Sequence, residues 1–244
     1  MLPVTPPAPE VSVLIPAFNE VAHIASTIRG ALAVLAAQGL SFEIVAIDDG
    51  STDGTAAAIA DATRTDTRIS LLRHERNRGL GASYASGVAA ARGRYVSWLP
   101  GDDAIPPEFL ATMIAARHQA DVVIAYPVFD RPRPMLRTLL SVSYVRIMNR
   151  LCGGRVRYFN CITLIRRDLL LEVLPRNNTG FGVFAEILVR LLRARRSYVE
   201  VPIASRIRPM ERSKAFRWRN VVSVCGRTVG LWWSLRGRPA PPGS

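Results

Sequence analysis

Short β-branched runs alternate with helical stretches over the first 125 residues, and this alternation leaves few folds open. Residues 11–15 read as a strand closed by Pro16, followed by a helix over about 20–37 that Gly39 ends. Residues 42–47 form a second strand that stops at Asp48-Asp49-Gly50-Ser51, and an Ala-rich helix begins near Asp53. Residues 69–72, 80–91, 95–99, 106–118 and 121–125 continue as strand, helix, strand, helix and strand. Parallel strands need such crossovers, so the order predicts an α/β fold with a mainly parallel sheet covered on both faces. Ligands of such sheets bind beyond the C-terminal strand ends. The polar signatures Asn19-Glu20, Asp48-Asp49 and Asp102-Asp103 all fall there.

Charge divides the chain. Of 244 residues with a formal net charge of +13, residues 1–129 hold 9 basic and 13 acidic side chains, whereas 130–244 hold 23 basic and 6 acidic ones. All but one of those 23 are Arg. An excess of this size implies an anionic partner, which composition leaves open among nucleic acid, phosphorylated substrate and anionic lipid. The basic half contains no nucleic-acid-binding module and few interleaved aromatics, so nucleic acid is not expected. Cys152, Cys161 and Cys225 are odd in number and too scattered for a zinc site, which predicts reduced thiols.

Two segments of the basic half are apolar in a particular way. Residues 135–151 set Leu136, Leu139, Leu140, Ile147 and Leu151 among Arg137, Arg146 and Arg150. Residues 221–235 are apolar apart from Arg227 and small polar residues, and contain Trp232-Trp233. Neither reaches the roughly 18–20 uncharged residues of a spanning helix. Both suit helices lying in a membrane interface, with Arg toward headgroups and Trp at the boundary. For residues 135–151 an amphipathic core helix is the alternative. The expected organisation is a disordered leader without a secretory signal (1–9), an α/β half (10–130), a basic half with an interfacial helix (131–216), an apolar interfacial helix (217–237) and a disordered tail (238–244). This is the layout of a peripheral, monotopic protein at the cytoplasmic face of a membrane.

Three segments together resemble the family 2 glycosyltransferases of the GT-A fold: Val11-Ser12-Val13-Leu14-Ile15-Pro16-Ala17-Phe18-Asn19-Glu20, Asp48-Asp49-Gly50-Ser51-Thr52-Asp53-Gly54-Thr55, and Asn77-Arg78-Gly79-Leu80-Gly81. The resemblance implies transfer of a sugar from a nucleotide diphosphate sugar, with 10–130 as the nucleotide-sugar-binding half and 131–216 as the acceptor-side half. It carries Pro16, Phe18, Asn19, Glu20, Ile47 and Asp49 over as contacts to the nucleotide sugar, with Gly101, Asp102 and Asp103 beside them. Taken on its own, Asp49 could also be a turn residue capping the next helix. Gly50 and Gly54 would allow tight backbone near the ligand, and Gly79 and Gly81 would shape the turn into their helix.

The basic half is similar to a narrower branch, the dolichyl-phosphate mannose synthases and related polyprenyl-phosphate glycosyltransferases. Gly180-Phe181, Glu186, Glu200-Val201-Pro202-Ile203, Arg208 and Ser213-Lys214 carry that likeness. It implies that Arg208 and Lys214 engage the donor phosphates, where cationic donors stabilise a leaving diphosphate. Membership of a general basic face is the other reading of these two. Asp102, Glu186, Arg208 and Lys214 are thus the candidate catalytic residues.

Two departures from the family pattern matter. The Asp-x-Asp metal motif is represented by Pro100-Gly101-Asp102, and Ala104 replaces a Gln that often helps bind metal. Asp102 is then the one metal ligand, for Mg²⁺ or Mn²⁺, ions that lean on waters and substrate phosphates. The Glu-Asp pair common among hydroxyl-transferring members is reduced to Glu186 alone, and Asn160-Cys161 stands near the place of the branch's Ser-Gly pair. A hydroxyl acceptor needs a general base, whereas a phosphate monoester, with a second pKa of about 6, is already largely dianionic at neutral pH. The favoured activity is therefore inverting transfer from a GDP- or UDP-linked hexose to a polyprenyl phosphate at the membrane surface. A same-fold transferase using Glu186 as base on a glycan or lipid hydroxyl, and a catalytically weak membrane-bound binding protein, are the alternatives.

Overall fold

The computed structural model describes residues 7–129, 135–175, 180 and 182–205. Phe181, Arg208, Lys214, Cys225, Trp232, Trp233 and the predicted helix at 217–237 lie outside the described residues, as do residues 1–6 of the leader and the tail.

A seven-stranded sheet in the order β3-β2-β1-β4-β6-β5-β7 organises the chain. β1 (Val11–Ala17) lies between β2 (Phe42–Asp48) and β4 (Tyr95–Trp98), parallel to both, and β3 (Ile69–Arg73) extends the sheet parallel to β2. β6 (Thr163–Arg166) runs antiparallel between β4 and β5 (Val122–Phe129), and β7 (Tyr198–Ser205) lies parallel to β5. The mainly parallel sheet read from the sequence forms, with β6 the one reversed strand among the described residues. Every residue of β1, β2 and β4 is buried. That is why these strands read as continuous apolar runs: helices cover both faces.

One helical layer contains α1 (Ile24–Ala36), α2 (Thr55–Thr65) and α4 (Phe109–Ala115), with α1 packed on both others. The other contains α3 (Leu80–Ala90), α6 (Arg167–Val173) and α7 (Gly182–Arg193), with α5 (Met135–Cys152) against α7. Ring contacts join this layer to the sheet: Trp98 stacks on Phe184 of α7 at 4.5 Å, and Tyr84 of α3 meets both edge-on. Such pairs contribute about 0.5–1.5 kcal/mol beyond their area. Cys152 and Cys161 are free and buried, and burial pushes both thiols up.

Some boundaries differ from the sequence expectation, for physical reasons. α1 starts at Ile24 and not near Glu20, because the Glu20 carbonyl accepts from both His23 and Ile24 N–H and turns the chain first. β5 runs four residues beyond Ala125, because β7 supplies a parallel partner from Tyr126↔Pro202 to Phe129↔Ser205. The expected boundary at 130 falls between β5 and α5, yet β6 and β7 from beyond it complete the same sheet.

At the opposite end from the strand tips, Glu43 is 6% exposed and locks β1, β2 and the approach to β4. Its carboxylate accepts from Ser12 Oγ (2.7 Å), Arg92 N (2.6 Å) and Arg92 Nε (2.9 Å), while Ser12 Oγ accepts from Gly93 N at 2.8 Å. Burial alone would raise this carboxyl, but the Arg92 N–H, the Ser12 hydroxyl and the Arg92 guanidinium together hold it below the ordinary glutamate value. A depressed pKa contributes stability that is present above the unfolded-state value and lost as pH falls through the folded one. Glu43→Gln should therefore lower stability by about 2 kcal/mol at pH 7. It should also flatten the loss of stability on acidification below about pH 4.5, as read by urea unfolding across pH.

Candidate active site

The strand order reverses direction between β1 and β4. The chain steps outward from β1 to β2 and β3, then crosses back to place β4 on the other side of β1. Loops from neighbouring strands diverge at such a point and open a crevice at their C-terminal ends. Here the crevice is bounded by the loops after β1 (18–23), β2 (49–54) and β4 (99–108).

These loops are tied to one another by side chains. Asn19, in the left-handed region at φ 54°, donates its N–H to Ser51 Oγ (2.9 Å), and its Oδ1 accepts from Thr52 N (2.9 Å). Glu20 N donates to Thr55 Oγ1 (2.9 Å) and Val21 N to Asp53 Oδ2 (3.1 Å). From the other side, Gly101 N donates to the Pro16 carbonyl at 3.1 Å. A Cβ at Gly101 would lie 2.9 Å from Ala17 Cβ and 3.0 Å from that carbonyl oxygen, so this approach requires glycine. The Asn-Glu and Ser-Thr-Asp-Gly-Thr signatures are thus, in part, the fastenings of a rigid rim.

Asp49 is 3% exposed and fully engaged on one side. Its Oδ1 meets His74 Nδ1 at 2.7 Å and accepts from Arg78 N at 3.0 Å; its Oδ2 accepts from Gly79 N at 2.8 Å. His74 is itself 7% exposed, and its Nε2 lies 3.0 Å from Ser86 Oγ of α3. Gly50 completes the closure: at φ 73°, a Cβ there would sit 2.5 Å from the Arg76 carbonyl carbon. His74 is the residue that the sequence reading missed. Its signal is topological, because β3 pairs in parallel with β2 and Asp48 faces Arg73, so the residue after each strand meets the other.

The remaining candidate residues distribute as follows. Pro16 and Ile47 are buried cross-strand partners in β1 and β2. Phe18, 39% exposed, stands on the open side of the rim, where it can face a ligand. Asp102 and Asp103 follow β4 and are partly buried; Asp103 adopts φ 55°, and Asp102 Oδ1 accepts from Ala104 N at 3.1 Å. Among the described residues no group of three or more His, Cys, Asp or Glu side chains is placed to hold a metal. Glu186 lies on α7 at 9% exposure, and its Oε1 accepts from Arg190 Nη2 (2.6 Å) and Nε (3.2 Å). Glu200, the third residue of β7, accepts from Arg157 N at 2.7 Å, and the Arg157 guanidinium stacks 4.6 Å from the Tyr126 ring.

α5 departs from an ordinary surface helix. Met135 (89% exposed), Leu139 (61%), Leu140 (53%), Val142 and Ile147 face solvent, while Met148 and Cys152 face α7 and the core. Among the described residues no helix is long and apolar enough to cross a membrane.

The family model described as Glycosyl transferase family 2 matches residues 12–174. Among curated proteins, the chain is 36% identical over 129 residues to the succinoglycan biosynthesis protein ExoO of Rhizobium meliloti, covering 51% of this chain and 36% of that protein. It is 27% identical over 199 residues to the undecaprenyl-phosphate 4-deoxy-4-formamido-L-arabinose transferase of Klebsiella pneumoniae, covering 81% of this chain and 60% of that one. The chain thus spans less than two thirds of the length of either relative. Glucosyl-3-phosphoglycerate synthase of Mycobacterium tuberculosis, solved with UDP, shares the fold at a TM-score of 0.70 and 20% identity, over 96% of this chain and 82% of that one. Mannosyl-3-phosphoglycerate synthase of Rubrobacter xylanophilus does so at a TM-score of 0.71 and 17% identity, over 97% and 77%.

Replacing His74 by Leu should leave the buried Asp49 carboxylate one partner short, at a cost of about 1–3 kcal/mol. Ser86→Ala, at the far end of the same ring, should cost less than half as much. Urea unfolding of the two variants checks the order; equal losses would show that the ring matters for packing and not for Asp49.

Proposed function

Because the chain belongs to glycosyl transferase family 2, whose model spans residues 12–174, we propose that it transfers a hexose from a nucleotide diphosphate to a polyprenyl phosphate, with inversion, at a membrane surface. The observation that carries the acceptor assignment is the solvent-facing apolar side of α5, formed by Met135, Leu139, Leu140, Val142 and Ile147. Each such side chain moved out of water is worth roughly 1.5–3 kcal/mol when fully buried, and a bilayer interface supplies that burial. The likeness to an undecaprenyl-phosphate transferase, a protein named for a lipid phosphate, supports the same reading.

In this proposal the nucleoside lies over the rim formed by Pro16–Glu20 and Asp49–Thr52, with Phe18 against it and with Asn19, Glu20, Ile47 and Asp49 shaping or contacting the pocket. Asp49 acts chiefly through the loop it holds, since three of its hydrogen bonds are already made. Gly101, Asp102 and Asp103 lie at the diphosphate. A lone pair of carboxylates that offers hard oxygen donors fits Mg²⁺ or Mn²⁺ used together with substrate phosphates, and Asp102, with Asp103 beside it, would hold the ion. Bound there, the ion would neutralise charge on the diphosphate. Arg208 and Lys214 take the remaining diphosphate charge.

The acceptor phosphate attacks C1 through one of its own oxygens. The bond from C1 to the diphosphate oxygen breaks, and the electron pair leaves with the nucleotide. A dianionic acceptor has no proton to surrender, so positioning and charge stabilisation suffice. Glu186 fits this scheme as the orienter of Arg190, its ion-pair partner, and less well as the base that a hydroxyl acceptor would demand.

Nucleotide release should therefore require a polyprenyl phosphate and remain at background with the matching polyprenol; equal release with both would favour the hydroxyl-transferring reading. Asp102→Asn should reduce metal-dependent turnover by roughly 10²-fold, and Asp103→Asn by less. Arg208→Ala and Lys214→Ala should lower the rate per vesicle-bound molecule and leave partitioning unchanged. Loss of partitioning at a constant rate would move both residues to the membrane face.

A further inference from the structure

We propose that an open hollow at the C-terminal half of α5 binds the phosphate of an anionic phospholipid headgroup and so fixes how the protein sits on the bilayer. The hollow, of about 530 Å³, is lined by Arg146, Ile147, Asn149, Arg150, Gly154 and Arg155. This inference rests on the membrane reading of α5 given above and is independent of the sugar transferred.

The site is built by the way the helix ends. Arg146 and Arg150 stand one turn apart on the same face. Gly153, at φ 67°, reverses the chain, and Gly154 N donates to the Asn149 carbonyl at 3.2 Å, the closure of a glycine-terminated helix. Asn149 then clamps Val156, the residue after Arg155, in both directions: Nδ2 donates to the Val156 carbonyl and Oδ1 accepts from Val156 N, each at 2.9 Å. Arg155 is thereby held on a braced turn opposite the two helical arginines.

The charges in this hollow are not used within the described residues. α5 contains no Asp or Glu. Neighbouring arginines are committed, Arg157 to Glu200, Arg190 to Glu186 and Arg196 to Glu172, whereas no carboxylate lies within ion-pair range of Arg146, Arg150 or Arg155 among the described residues. The negative end of the helix dipole does not explain them, because Arg193 already donates to the Leu151 carbonyl at 3.4 Å and that end carries only about half a charge. Three guanidiniums around one hollow repel each other until an anion enters, and their planar forks match phosphate oxygens.

A phospholipid is favoured over a free phosphate by what continues from the hollow. Ile147 lines it, and Leu139, Leu140 and Val142 extend the apolar surface along the same helix. Apolar side chains entering the acyl region with Arg at the phosphates is the arrangement of an interfacial helix.

The test is vesicle co-sedimentation of the full chain. Its arms are phosphatidylcholine alone, phosphatidylcholine with phosphatidylglycerol, and phosphatidylcholine with polyprenyl phosphate at the same charge, with inorganic phosphate as competitor. Wild type should prefer phosphatidylglycerol vesicles over neutral ones by on the order of a hundredfold at low salt. The combined variant Arg146→Ala, Arg150→Ala, Arg155→Ala, all exposed positions checked for folding by circular dichroism, should lose that preference and keep the wild-type affinity for neutral vesicles. A variant that retains the preference overturns the proposal. So does a preference for polyprenyl phosphate over phosphatidylglycerol that the variant loses, which would make the hollow an acceptor site. Complete displacement by millimolar inorganic phosphate would assign it to a free anion and also overturn the proposal. Equal binding to neutral and anionic vesicles removes this inference alone; binding to no vesicle removes the membrane reading with it.

Discussion

A buried carboxylate that must be satisfied is the constraint on which the candidate site depends. Asp49 leaves water at the tip of β2, and its oxygens are met by a histidine ring and by two backbone N–H groups of the β3–α3 loop. Leaving such a group unpaired would cost more than most single contacts contribute. The loop is therefore held where Asp49 needs it, Gly50 is pressed against the Arg76 backbone, and the rim on that side is fixed. On the other side of β1, the Gly101 N–H on the Pro16 carbonyl does the same for the β4 loop. Asp102 and Asp103 follow directly from that fastened glycine.

Rigidity at this rim suits the chemistry proposed for it. With a phosphate as nucleophile and a nucleotide as leaving group, charge placement matters more than proton transfer, and charge placement requires fixed loops. In the metal site proposed at the β4 tip, Asp102 with Asp103 would supply the protein's part and the diphosphate the rest. α5 meets a different demand. Its inner face is spent on α7 and the core, so the apolar residues on its outer face have no packing role within the described chain.

Much of the first half was legible because period and punctuation agree there. Five strands and their intervening helices were placed from residues 11–125, and the three loop signatures fell at the predicted strand tips. The second half was harder to read. β6 is four residues long and antiparallel, and β7 pairs with β5 across more than seventy residues, so neither carries a local signature of its place in the sheet. The apolar and cationic character of residues 135–151 was legible, but which side faces solvent was not, because apolar residues occur all round that helix. His74 was hidden for a related reason: its partner is set by strand register and not by spacing. The charge changes near residue 130, and one sheet takes strands from both sides of that position.

The proposed reaction joins a sugar to a lipid phosphate. Its decisive test is to incubate the protein with a short polyprenyl phosphate, Mg²⁺ and a panel of GDP- and UDP-linked hexoses, and to weigh the lipid product by mass spectrometry. With at least one donor the lipid should gain one sugar residue, attached through phosphate and of inverted anomeric configuration. A panel that yields only free sugar, or a sugar attached to a hydroxyl, would contradict it.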